Sequence, residues 1–239
     1  MRTATILPVK RFSLAKRRLG ESVADTLRLE LAQAMVADVL LALAETECSE
    51  ITIVVTLEES VAQAAAELGA LVLDDVAEAG QSAAAELGVR HAIASGIERV
   101  LCVPGDCPAL DPLELDALLR SPDGGAGREA SGPEVVIVPD RHGTGTNGLL
   151  LDPPDVIKPS FGPGSFERHR ALALAAGAAC RVERPASLLL DIDTGADLAA
   201  LRALPLAERT VGRRALAPST RAVLARAASA STLPVATSA

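Results

Sequence analysis

Through the first half of the chain, short apolar runs alternate with longer amphipathic stretches, and this alternation limits the fold more than any other feature of the sequence. Ala4 to Val9, Ile51 to Thr56, Ala70 to Leu73 and Val100 to Val103 have strand length and are rich in β-branched residues. Between them, Asp25 to Ala44 sets Leu27, Leu31, Met35, Val39 and Leu43 at three- and four-residue spacing, which is one face of an amphipathic helix. Glu58 to Leu68 reads as a second helix, and Gly80-Gln81-Ser82 opens a third that runs to about Ser95. A β-α-β-α-β order predicts a parallel sheet with helices packed on its faces. With 239 residues and 49% hydrophobic content the chain can bury one substantial core, so a single α/β domain is expected.

In such folds ligands bind at the carboxyl ends of the strands, where the helices that follow aim their amino termini into a crevice. The run Val100 to Val103 stops at Pro104-Gly105, which forces a turn and leaves Asp106 on that rim. A carboxylate there suits a metal held over a phosphate. It equally suits the cap of a turn, or of the helix that Asp111-Pro112 begins. After the first strand come Lys10, Arg11, Lys16, Arg17 and Arg18, five cations in nine positions. A charge run is often no more than a solvated loop, but one that crosses the crevice directly after the first strand is placed to neutralise a polyphosphate. Gly80-Gln81-Ser82 offers free amides to the same rim, as a nucleotide contact or as a plain helix start.

The second half carries three more polar clusters. Gly143-Thr144-Gly145-Thr146-Asn147-Gly148 has the spacing of a dinucleotide-binding fingerprint, but Gly148 leads into the strand-like Leu149-Leu150-Leu151, whereas the fingerprint requires a helix. What remains is a small-residue loop suited to a phosphate or carboxylate, or a flexible hairpin. Phe161-Gly162-Pro163-Gly164-Ser165 precedes a helix, with Ser165 as its expected amino-terminal cap, and Arg168, His169 and Arg170 read as that helix's solvated basic face. Asp191-Ile192-Asp193 reads as a strand with both carboxylates on one side, which calls for a cation. A Gly-rich loop is expected over 121–133. The Ala-, Ser-, Thr- and Pro-rich segment 217–239 is expected to be disordered.

Composition excludes several classes. A net charge of −8 argues against broad nucleic-acid or anionic-membrane binding. Tyr and Trp are absent and Phe numbers three, so stacking on bases is not a general device. Cys48, Cys102, Cys107 and Cys180 lack C-x-x-C spacing and read as reduced core-fillers, and no two histidines have metal-ligand spacing, so none is assigned to zinc. Met1-Arg2 passes straight into a strand-like run without a leader pattern, so a cytoplasmic location is expected.

Taken together and in order, five stretches resemble the guanylyltransferases of deazaflavin-coenzyme biosynthesis, over roughly residues 2–204. They are Leu7-Pro8-Val9-Lys10 with Ala15-Lys16-Arg17-Arg18-Leu19, the Cys102 to Leu110 stretch, the Gly143 to Gly148 loop, the Phe161 to Ser165 loop, and Leu188 to Thr194. The resemblance implies a single-domain nucleotidyltransferase fold of the nucleotide-diphospho-sugar-transferase type, Rossmann-like and three-layered, with a mixed, mostly parallel sheet over residues 1–206 and a carboxyl-terminal extension over 207–239. It implies transfer of GMP from GTP to phosphoenolpyruvate or 2-phospho-L-lactate with release of pyrophosphate. An Ala- and Arg-rich, Lys-poor composition favours phosphoenolpyruvate. By the same resemblance Lys10 and Lys16 would hold the triphosphate, and Leu7, Pro8, Gly80, Gln81, Pro104 and Gly105 would line the nucleotide. Asp106, Asp191 and Asp193 would bind magnesium, while Thr146, Gly162 and Ser165 would bind the acid. The sequence departs from the expected Gly-Leu-Asn at Gly80-Gln81-Ser82. An apolar helix face leaves room for a homodimer. Two rivals are a nucleotidyltransferase acting on a sugar phosphate or molybdopterin and a non-catalytic nucleotide-binding protein. The first lacks its Gly-rich opening loop here, and the second would not need all three aspartates.

Overall fold

A computed structural model describes residues 1–14, 19–20, 23–120, 132–204 and 215–231. Lys16 and most of the expected Gly-rich loop lie outside the described residues. The elements are β1 (Thr3–Val9), α1 (Asp25–Ala44), β2 (Ile51–Thr56), α2 (Glu59–Glu67), β3 (Leu71–Asp74), α3 (Gln81–Ala94), β4 (Arg99–Cys102), α4 (Pro112–Leu119), β5 (Glu134–Pro139), β6 (Thr146–Asp152), α5 (Ser165–Ala175), β7 (Ala179–Val182), α6 (Gly195–Ala203) and α7 (Pro218–Ser231). They build a seven-stranded sheet in the order β3-β2-β1-β4-β6-β5-β7. The pairs β1–β2, β1–β4, β2–β3 and β5–β7 are parallel, and only β6 runs against its neighbours. The expected mixed, mostly parallel α/β sheet is therefore present.

Alternating strand residues feed two cores, as side chains must on a sheet covered on both faces. Leu7, Val54, Leu101, Val136 and Leu150 pack under α1, α2 and α4. Ile6, Ile53, Cys102, Ile137 and Leu149 pack under α3 and α5. Gly88 brings α3 close to the sheet, because a Cβ there would sit 2.6 Å from Ile6 Cγ2. Cys102 and Cys107 are buried as expected, but Cys180 is exposed because β7 is an edge strand. Among the described residues, no helix is long and apolar enough to cross a membrane.

Two expectations are corrected. The segment read as a disordered tail contains α7, which packs along α1. Its Val223 and Leu224 join Leu31, Met35, Ile192, Leu198 and Leu201 in a third apolar cluster. The buried Asp38 of α1 takes hydrogen bonds from Ser219 N (2.8 Å), Thr220 N (2.8 Å) and Thr220 Oγ1 (2.7 Å), so an anion satisfies the free amides at the start of α7. Abundant Ala favours a helix once such a docking surface exists, although the same composition lacks the bulk that marks a core element in sequence. The second correction concerns Asp191-Ile192-Asp193, which is not a strand. It is an extended loop between a 3-10 turn (Ala186–Leu188) and α6, and Asp193 N donates to Asp197 Oδ2 of α6 (3.0 Å). Ile192 N donates to Asp106 O (3.0 Å).

Candidate active site

The carboxyl ends of β1 and β4 lie side by side in the parallel pairing, so the loops that follow them face one opening. A cavity of about 320 Å³ occupies it. Pro8 and Lys10 enter from the end of β1, Pro104, Gly105 and Asp106 from the loop after β4, Gln81 from the start of α3, and Asp193 from the loop before α6. Seven of the residues expected from sequence thus line one cavity. Leu7 is fully buried beneath it, in the core rather than on the cavity. A second cavity of about 440 Å³ adjoins the first through Val9 and Lys10. Gly80, Leu57, Asp75 and the Arg11–Glu78 ion pair (2.6 Å) surround it. Asp75, a carboxylate only 7% exposed, was not singled out from sequence. Its signal was its place directly after β3, on the same rim as Asp106. Glu58 fixes the start of the basic loop by accepting from Phe12 N (2.7 Å).

Asp106, Asp191 and Asp193 converge where the Ile192 to Asp106 backbone bond clamps their two loops together. Burial raises the Asp191 carboxyl above its usual range, the Asp106 charge raises it further, and Asp193 adds to the shift against a hydrogen bond from Asn147. Carboxylates that repel one another, with oxygen as the donor atom, have the chemistry of a site for a hard divalent cation. Among the described residues, no three His, Cys, Asp or Glu side chains stand together as a ready-made metal-binding group, so the aspartates form a converging set rather than a closed cage. Asn147, also missed in the sequence, anchors the set. Its Nδ2 donates to Leu188 O (2.8 Å) and Asp191 Oδ1 (3.2 Å), tying β6 to the aspartate loop.

Thr146, Gly162 and Ser165 meet around the start of α5, beside Asn147. The Gly143 to Gly148 stretch is the β5–β6 hairpin, and its amides are already engaged: Asp140 accepts from Thr144 N and Gly145 N (both 2.9 Å). Thr146, the first residue of β6, is buried and turns its hydroxyl to His169. Ser165 is not the cap of α5. Gly164, with φ 70°, occupies that position, and Gly162, with φ 107°, makes the turn before it, so Ser165 becomes the first helical residue, 1% exposed, its N–H donating to Gly162 O (3.0 Å). Ser82 Oγ accepts from Phe161 N (2.9 Å) and joins this loop to the start of α3.

The basic face expected over Arg168 to Arg170 is also corrected. Arg168 and Arg170 are both exposed as expected, with Arg170 paired to Glu167 (3.0 Å), and it is His169 that departs. Arg168 holds the loop by donating to Ser160 O (2.8 Å), Phe161 O (3.2 Å) and Pro163 O (3.1 Å). His169 is fully buried, bonded to Thr146 Oγ1 (3.0 Å) and accepting from Ser160 N (2.9 Å). Burial, aided by the Arg168 charge, pushes its pKa down to about 4, so the ring is neutral at physiological pH. Ser165, His169 and Ala173 are the buried residues of α5, and their four-residue spacing was the sequence signal for an inward face.

Residues 3–203 match the family model described as guanylyl transferase CofC like. A phosphoenolpyruvate guanylyltransferase of Conexibacter woesei is 48% identical over 224 residues, which is 94% of this chain and 96% of that protein. Another, of Sphaerobacter thermophilus, is 37% identical and covers 83% of this chain and 91% of its own. Among solved structures, a candidate nucleotide-diphospho-sugar transferase from Desulfovibrio desulfuricans G20 has a TM-score of 0.69 at 18% identity, covering 96% of each chain. A nucleotidyl transferase from Methanothermobacter thermautotroptrophicus has a TM-score of 0.56 at 21% identity, covering 84% of this chain and 96% of its own. These two likenesses concern the fold.

Proposed function

The chain belongs to the CofC-like guanylyl transferase family, and from that premise we propose that it transfers GMP from GTP to phosphoenolpyruvate, giving enolpyruvoyl-2-diphospho-5'-guanosine and pyrophosphate. A phosphate oxygen of the acid attacks the α-phosphorus of GTP; one P–O bond forms there as the bond to the β-phosphate bridge oxygen breaks, and pyrophosphate leaves. No protein nucleophile is needed. The work of the site is to bring two anions together in line and to offset their charge. The observation that carries this reading is the single cavity that Lys10, Gln81, Gly105, Asp106 and Asp193 line together.

In this reading Lys10 faces the triphosphate, and Lys16, which lies outside the described residues, is expected to add its charge. Asp106, Asp191 and Asp193 would hold magnesium, which supplies charge neutralisation to the reacting phosphates. The second cavity suits the base, because the Asp75 carboxylate has the acceptors that the N1–H and 2-amino group of guanine require. Thr146, Gly162 and Ser165 receive the acid. The names carried by the relatives from Conexibacter woesei and Sphaerobacter thermophilus favour phosphoenolpyruvate as that acid. The resemblance noted in the sequence supports a role for the product in deazaflavin-coenzyme assembly. The test is to incubate the protein with magnesium, each nucleoside triphosphate and each acid, and to follow pyrophosphate. We expect release with GTP and phosphoenolpyruvate; greater activity with 2-phospho-L-lactate would overturn the choice of acid, and activity only with a hexose phosphate would overturn the reaction.

A further inference from the structure

We infer that His169 is a positioning residue that fixes Thr146 as a hydroxyl donor to an anionic oxygen of the acceptor substrate. The inference rests on the assignment of Thr146 to the acid pocket made above. A backbone N–H can only donate, so the contact from Ser160 N makes His169 Nε2 an acceptor (2.9 Å). A neutral imidazole that accepts at Nε2 carries its proton on Nδ1. That N–H then points at Thr146 Oγ1 (3.0 Å), whose oxygen becomes the acceptor of this bond. The threonine O–H is left directed at another acceptor. An unanchored hydroxyl can rotate to give or to take; this one is set to give, which selects for a carboxylate or phosphate oxygen.

The ring cannot easily exchange its two edges. Phe161 packs edge-on to it with centroids 5.3 Å apart. Arg168 pins Ser160, Phe161 and Pro163, so the amide that reads Nε2 is itself held. A flipped ring would set a carbon against Ser160 N and leave that donor without its acceptor. Protonation would set two donors against each other in the same place, and burial opposes the charge. His169 thus joins β6, the loop before α5 and α5 itself, the three segments that form the expected acid pocket.

The experiment is steady-state kinetics with both substrates varied, on Thr146→Val, Thr146→Ser, His169→Gln, His169→Asn and the double variant Thr146→Val/His169→Gln. A Gln amide reaches the Nε2 position and keeps an acceptor for Ser160, while Asn keeps an N–H near the Nδ1 position. Thr146→Val and His169→Gln should each raise KM for the acid about tenfold and leave KM for GTP within about twofold. The double variant should be no worse than Thr146→Val alone, because both changes remove one function. Thr146→Ser and His169→Asn should recover most of the acid affinity. If Thr146→Val raises KM for the acid and His169→Gln does not, or if their effects multiply, the positioning role is wrong while the acid pocket stands. If Thr146→Val leaves KM for the acid unchanged, the pocket assignment itself fails. Should His169→Gln not fold, the comparison of His169→Asn with Thr146→Val decides: an Asn variant as impaired as Val, with unchanged melting temperature, overturns the role.

Discussion

Replacing Asp38 by alanine is the sharpest test of whether α7 belongs to the working domain. The substitution removes one carboxylate, 3% exposed, that accepts from Ser219 N, Thr220 N and Thr220 Oγ1 at 2.7–2.8 Å. Ser219 is half-buried and can regain a bond to water, but Thr220 is fully buried, so its amide and hydroxyl lose their partner inside the protein. Each stranded donor costs about 1–3 kcal/mol, and loss of a helix cap alone about 1 kcal/mol, so a total of about 3 kcal/mol is expected. For a chain of this length that is a fall of roughly 6–12 °C in melting temperature. Asp38→Asn keeps one acceptor oxygen and should lose roughly a third as much, about 1 kcal/mol. Differential scanning fluorimetry reads the global effect, and hydrogen exchange at Ser219 and Thr220 reads local release of α7. Because α7 shares a cluster with Met35, which lines the first cavity, and with Ile192, which lies between two of the aspartates, turnover should fall with docking. An Asp38→Ala protein with unchanged melting temperature and unchanged exchange at those amides would show that α7 is an ornament.

Four further outcomes are expected. Asp106→Asn should abolish magnesium-dependent turnover without lowering the melting temperature, and Asp191→Asn should raise neutral-pH stability: a carboxyl whose pKa is raised in the folded state binds more protons there than in the unfolded chain, so its ionisation weakens the fold as pH rises. A drop in melting temperature for both variants would sink the picture of mutual repulsion. His169 has the opposite linkage. Its folded value of about 4 lies below the ordinary 6.5, so its contribution is complete above pH 6.5 and is lost as pH falls towards 4, by at most about 1.4 kcal/mol per pH unit; acid melts should show this loss in the parent and lose it in His169→Asn. Asp75→Asn should lower selectivity for GTP over ATP in competition assays, and unchanged selectivity would remove Asp75 from the base subsite.

The alternation of strands and helices was legible because each element's burial is written in its own periodicity, as in β4, buried on both faces. Lys10, Gln81, Gly105 and Asp106 were legible because turns at strand ends are local events, and parallel pairing brings those ends together without further information. Long-range partners left no such trace. Asp38 reads as a polar interruption of an apolar helix face until Ser219 and Thr220, far away in the chain, are seen to bond to it. His169 was hidden between two arginines of different fates, although the buried spacing of Ser165, His169 and Ala173 carried a signal. The aspartate loop was misread because Leu188 and Ile192 are buried like strand residues while their backbone bonds run to the loop after β4 and to Asn147.

The wall of Val9 and Lys10 common to both cavities bears on how such an enzyme can diversify. Under the proposed function a substitution at the end of β1 is pleiotropic: it would alter the room for the base and the charge beside the phosphates in one step. Selection for a new nucleotide is therefore channelled to residues of the second cavity that do not line the first, such as Leu57, Asp75 and Glu78. In a mutational library, variants with changed base preference and retained turnover should cluster there, while β1 stays nearly invariant.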